Sequence, residues 1–312
     1  MKYIFTCFMI ACIGFQSTAQ YINKTDYKFL QKKEDSLKTI GLKIVQGRSA
    51  ADRFTADSLF TRVLVRALKT PYSFYFPFDS IINVSKLYAP DSSFRIYTWQ
   101  LVINENTVRQ HGAIQMRTKD GSFKRFALID KSDVTTNMAD TIGNNEGWMG
   151  AVYYKIIQKQ LNGRNIYTLF GFDENNIRSD KKIMDVLEFV NGEPIFGNKL
   201  FVMENGSNYP KNASRFIMEF KKEASPRLTF DPDYDAVIFD ELFSETGDIK
   251  KKYTLVPDGE YEGFKWTNGK WIHSKNIFGG APPQKYIIPK PIRDTKGNID
   301  DSQLKGGERE NQ

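Results

Sequence analysis

From Pro71 to about residue 280, aromatic and β-branched residues dominate and a turn signal arrives about every ten residues, which restricts this stretch to antiparallel β structure. Phe94 to Ile103 alternates as a strand. Ala113 to Arg117 and Phe123 to Ile129 flank Lys119-Asp120-Gly121, and Ala151 to Leu161 and Asn165 to Phe172 flank Asn162-Gly163. Asn-Gly accepts the positive φ angles of a tight hairpin turn. Lys182 to Val190 is compatible with helix or strand, and Pro194 to Val202 reads as extended. Arg215 to Lys221, Arg227 to Phe230 and Ala236 to Leu242 give three more strands.

The last hairpin, Glu260 to His273, can be registered by counting. With Asn268-Gly269 as its loop, Thr267 faces Lys270, Trp266 faces Trp271 and Phe264 faces His273. Period-two geometry puts Phe264, Trp266, Trp271 and His273 on one face. That face either packs on the core or forms an aromatic platform for a sugar or peptide.

Two helices precede the β region. Tyr27, Leu30, Leu37, Ile40 and Ile44 form one helical stripe. Ser49 and Asp52 have the spacing of a capping box, and Phe54, Phe60, Val63, Leu64, Ala67 and Leu68 mark the second face. Pro71 stops that helix. The run Pro71 to Phe78 is the densest in aromatics. Read as a strand, it puts Phe74, Phe76 and Phe78 on one side to seal the helices onto the sheet.

Residues 1–19 read as an export signal: Lys2 is the positive start, Ile4 to Phe15 the apolar run, and Ser17 and Ala19 the small residues before the cut. The run is too short to span a bilayer, and no later apolar run reaches about 20 residues. Met9-Ile10-Ala11-Cys12 loosely resembles a lipobox, so a lipid anchor at Cys12 is the competing fate. Both cysteines of the chain, Cys7 and Cys12, lie in this segment. Cleavage after Ala19 leaves no thiol for a disulfide, a metal or a nucleophile. The expected location is periplasmic or extracellular. The expected divisions are the signal at 1–19, a helical segment at 20–71, a β-rich body at 72–280, and a Pro-containing, charged, disordered tail at 281–312.

The formal charge of +7 is mild, with acidic and basic residues interleaved. Lys221-Lys222 and Lys250-Lys251-Lys252 are short clusters. Neither forms the basic stripe with interleaved aromatics that a nucleic-acid partner requires.

Motifs with definite chemistry are missing from the sequence. Its two histidines, His111 and His273, lie in strand-like segments and read as structural. There is no G-x-S-x-G elbow and no H-E-x-x-H helix. Asp231-Pro232-Asp233-Tyr234-Asp235 places Ala236 and Leu242 where a calcium loop needs Gly and Glu, so it reads as a turn. No metal or cofactor is expected. Glycoside hydrolysis by two carboxylates stays open, because the pair need only be close in space.

Ser73-Phe74-Tyr75-Phe76-Pro77-Phe78-Asp79, Pro90 to Trp99 and Val256 to Phe264, together with the signal ending, resemble a family of exported Bacteroidota proteins with no assigned function. The resemblance covers most of the chain after the signal. It implies export and one folding unit, and it brings no activity, cofactor or catalytic residue.

The fold expected is α+β: an N-terminal helical pair packed on a predominantly antiparallel β region, propeller-like or a sandwich, of about ten to twelve strands. The function expected is a non-catalytic cell-envelope module that binds a ligand or partner, such as a glycan or peptide, through exposed aromatics. Trp148, Tyr153, Tyr154, Trp266 and Trp271 are its candidate residues, with Gly147-Trp148-Met149-Gly150 as a flexible binding loop. The alternative is an envelope hydrolase acting on a glycan through paired carboxylates.

Overall fold

The computed structural model describes residues 22–104 and 106–278. The expected signal, Cys12 and the expected tail lie outside them. Helix α1 spans Lys24–Gln46 and α2 spans Ala50–Leu68. Asn23 caps α1 by accepting from the Asp26 amide at 2.8 Å. Ser49 and Asp52 form the expected reciprocal capping box on α2. Leu30, Leu37 and Ile44 of α1 face Phe60, Leu64 and Leu68 of α2 in one core. Phe54, expected on that face, is instead 44 % exposed. No helix among the described residues is long and apolar enough to cross a membrane.

Three sheets follow. The first has strand order β1-β2-β3-β4, with β1 Ser85–Tyr88, β2 Phe94–Asn104, β3 Thr107–Met116 and β4 Arg125–Ile129. The second joins β5 (Gly143–Asn144), β6 (Val152–Leu161), β7 (Arg164–Asp173), β8 (Ser179–Val190) and β9 (Glu193–Phe196) in the order β5-β9-β8-β7-β6. The third contains β10 (Phe201–Val202) and β11 (Asn212–Ala213). β12 (Phe216–Lys221) instead pairs with β8 of the second sheet. The third sheet is completed by β13 (Leu228–Asp231), β14 (Ala236–Ser244), β15 (Leu255–Thr267) and β16 (Lys270–Ser274). All pairings are antiparallel except β10 with β16 and the single bridge from Asp130 to Trp148. The segment Lys182 to Val190 is therefore strand. The last hairpin has the counted register, with Trp266 opposite Trp271 and Phe264 opposite His273.

The layers run helices, first sheet, second sheet, third sheet. Tyr97, Trp99 and Leu101 of β2 face the helices, while Phe94 and Ile96 face the second sheet beside Tyr153, Tyr167 and Leu169. Ile166 and Phe170 of β7 face the third sheet beside Phe216, Phe239, Phe264 and Trp271. Strands covered on both sides carry near-continuous apolar runs instead of alternation. The sheets are stacked sandwich-like and none closes into a barrel, so the propeller arrangement does not apply.

The aromatic run seals the helices as expected, but not as a strand. Ser73–Tyr75 is a single 3-10 turn, and Tyr72 and Phe78 have φ of 57° and 58°. Those left-handed residues break any strand, so Phe76 and Phe78 reach the helix core from a loop. Buried Arg95 on β2 holds that loop by donating to the Phe76 carbonyl at 2.6 Å and to the Pro77 carbonyl.

Candidate functional site

The α2 apolar stripe contains one carboxylate. Asp57 lies three residues before Phe60, and both are buried against β2. Arg53, one turn earlier, fixes that end of α2 by donating from Nε to the Val102 carbonyl at 2.6 Å and from Nη2 to the Ile103 carbonyl at 3.1 Å. Trp99 on β2 pairs directly with His111 on β3, so both rings stand on the helix side of the sheet. Asp57 Oδ1 accepts from Trp99 Nε1 at 2.8 Å and meets His111 Nδ1 at 2.9 Å.

A carboxylate only accepts, so this contact puts the proton of the neutral imidazole on Nδ1 and leaves Nε2 as an acceptor. Nε2 has no hydrogen-bond partner among the described residues. The His111 side chain is 29 % exposed and lines an open cleft of about 550 Å³. Ser58, Thr61 and Arg62 of α2 form one wall. Ala127, Leu128 and Ile129 of β4 form the other. That volume falls within the range of about 300–1,000 Å³ typical of small-molecule sites.

His273 has a different fate. Its Nε2 lies 3.2 Å from Glu262 Oε2, and its Nδ1 accepts from the Glu204 amide at 3.4 Å. Both nitrogens are spent and the ring is buried, as the structural reading expected.

A smaller pocket of about 200 Å³ is lined by Glu219, Glu241, Glu262, Tyr209, Lys252 and Lys275, among others. Glu241 sits where the β14–β15 register breaks between Asp240 and Leu242. Such a break re-aims a side chain that regular pairing would alternate outward. Burial raises the Glu241 carboxyl above its ordinary pKa, and the neighbouring charges of Glu262 and Asp258 raise it further. Burial likewise pushes the Tyr209 hydroxyl up, with Glu262 and Glu241 adding to the shift. Among the described residues no group of three or more His, Cys, Asp or Glu is arranged to hold a metal ion.

The expected aromatic surface is not a surface. Trp148, Tyr153 and Trp271 are fully buried. Trp148 Nε1 donates to the Tyr153 hydroxyl at 2.8 Å, which lies 3.4 Å from Asp185 Oδ2 in turn. Asp185 pairs with buried Arg215 at 3.0 Å. Trp271 Nε1 donates to Thr168 Oγ1 at 3.0 Å. Indole and phenol groups are this well buried only when their polar atoms find partners. Trp266 is half-buried against Trp271 at 5.2 Å between ring centroids. Tyr154 is 40 % exposed, but its hydroxyl is committed to the Leu228 carbonyl at 2.7 Å.

The expected flexible loop at 147–150 is pinned as well. The Trp148 amide donates to the Ile129 carbonyl at 3.1 Å, and the Gly150 amide to Asp130 Oδ1 at 3.1 Å. A Cβ on Gly150 would stand 2.5 Å from the Asp130 carboxylate, so only glycine fits there.

Sequence reasoning assigned His111 a structural role and did not single out Asp57. The signal was present: one acidic residue within an apolar helical stripe requires a buried donor opposite it. Comparison with family models, with curated proteins and with solved structures gives no match to this chain.

Proposed function

We propose that the protein is exported to the cell envelope and works there as a non-catalytic binding module, holding a small ligand in the cleft between α2 and the β3–β4 pair. One observation carries this reading: a buried carboxylate fixes His111 so that a ring nitrogen without a protein partner lines an open cleft with one polar and one apolar wall. The fully buried His273, by contrast, has both nitrogens satisfied within the protein. Export is supported by the sequence of residues 1–19 and by the resemblance to exported proteins.

The test is a small-molecule screen read by tryptophan fluorescence, since Trp99 lines the cleft. Hits are expected to bind His111→Ala about tenfold or more weakly, the worth of one good hydrogen bond in a partly enclosed site. Ligands that bind both proteins equally would remove the cleft from consideration. Mass spectrometry of the processed N-terminus tests export: a chain starting at Gln20 or a lipidated Cys12 supports it, and an intact Met1 refutes it.

A second reading, hydrolysis by paired carboxylates, is favoured by one observation only. Glu241, with its raised pKa, lines the same pocket as Glu262. Two carboxyls lining one pocket, one of them raised above its usual pKa, is the arrangement of a general acid and its partner. Loss of glycan cleavage in Glu241→Gln with folding intact would support it, and absence of cleavage by the wild-type protein would remove it.

A further inference from the structure

We infer that the ligand of the α2–β4 cleft is a sugar acid: a hydroxyl-bearing ring or chain that carries one carboxylate. The inference rests on the reading of this cleft as the binding site. Its basis is the set of polar atoms left unspent at the cleft wall. Ser58, Thr61 and Arg62 stand at i, i+3 and i+4 on α2, on one face of the helix.

Hydroxyls on a helix either bond back to the carbonyl four residues earlier or point to solvent. Ser36, Thr39 and Thr55 bond back, at 3.0, 3.3 and 2.8 Å. Ser58 and Thr61 do not: both are exposed at the cleft edge, and neither has a hydrogen-bond partner among the described residues. They are free to donate and to accept. The Arg62 guanidinium likewise has no ion pair or hydrogen bond among the described residues. His111 Nε2 is the matching acceptor on the sheet side.

These groups specify a ligand chemistry. The planar fork of Arg62 fits a carboxylate bidentately. The His111 nitrogen takes a ligand hydroxyl as donor, and the Ser58 and Thr61 hydroxyls bridge ring hydroxyls of either polarity. Ile129, opposite His111 in the β3–β4 register and 45 % exposed, covers the C–H face of such a ring. A ligand without hydroxyls would leave the His111 acceptor unsatisfied once water is expelled. A dianion would sit against the Asp57 charge with a single guanidinium to balance it.

Three probes separate the contributions: glucuronate, glucose, which lacks the carboxylate, and cyclohexanecarboxylate, which lacks the hydroxyls. Titration of the purified protein by calorimetry is expected to show glucuronate binding about tenfold or more tightly than either control. Arg62→Ala, an exposed position that leaves the fold untouched, is expected to lower glucuronate affinity about tenfold to a hundredfold and leave glucose unchanged. His111→Ala is expected to weaken glucose and glucuronate together.

Glucuronate binding no tighter than glucose, or unchanged in Arg62→Ala, overturns the inference. No binding of any probe overturns it too. The two readings fail separately: a screen hit that depends on His111 keeps the cleft as a binding site even when glucuronate does not bind.

Discussion

His111 with Asp57 and His273 with Glu262 are chemically alike, an imidazole held by a carboxylate at 2.9 and 3.2 Å, yet one side chain is 29 % exposed and the other 0 %. The difference comes from what packs on each sheet. Two sheets meet face to face and bury whole rows of side chains. His273 lies in such a seam, with its ring 5.5 Å from Phe264 and 5.8 Å from Phe239. A pair of helices is narrower than a sheet. Here it covers Tyr97, Trp99 and Leu101 of β2, while no residue of β3 or β4 enters that buried cluster. The uncovered strip beside β2 is the cleft. Openness at His111 is thus a consequence of putting a helical layer on a four-stranded sheet.

The comparison predicts an order of stabilities in urea denaturation. Trp271→Ala empties the sheet–sheet seam and is expected to cost about 3–5 kcal/mol. His273→Ala removes the neighbour of a buried carboxylate and leaves Glu262 without that partner, at about 1–3 kcal/mol. His111→Ala is expected to cost below about 1 kcal/mol, because Asp57 keeps the Trp99 indole and water reaches the open side. If His111→Ala proved as damaging as His273→Ala, the two pairs would be equivalent structural ties and the cleft would lose its distinguishing feature.

Much of the fold was legible because local signals agreed. Ser49 and Asp52 marked a helix start that geometry honours, and Asn268-Gly269 fixed a register that counting recovered. The candidate site was less legible. Trp148, Tyr153 and Trp271 looked like binding residues because aromatics serve cores and surfaces equally well, and only layer order separates the two. β2, read from Phe94 to Ile103 as alternating, and β7 are each covered on both faces, which a reading of single strands does not show. Phe74 to Phe78 has a strand-like pattern, but the left-handed backbone at Tyr72 and Phe78 and the carbonyl contacts of Arg95 make it a loop. The Asp57–His111 pair joins residues 54 positions apart, and only the helix-on-sheet packing brings them together.

The acidic pocket at the third sheet gives the smallest and most specific test of the contrast between closed and open regions. Burial raises the folded-state pKa of Glu241 above its unfolded value, and Glu262 and Asp258 act in the same direction, while Lys275 opposes them. The folded chain therefore binds this proton more tightly than the unfolded chain. Stability from this group falls as pH rises from the ordinary glutamate range through the raised folded pKa, and it stays low above that.

Glu241→Gln is neutral at every pH and removes the effect. Above the window the variant is expected to be more stable than wild type by below about 1 kcal/mol, with the advantage shrinking as pH is lowered through it. Asp173, Asp180 and Asp185 are raised by burial in the same way and remain in both proteins, so the difference between the two stability–pH curves is the measurement. Superimposable curves would mean that water reaches Glu241 freely. The pocket would then be no more closed than the His111 cleft, and the support for paired-carboxylate chemistry would go with it.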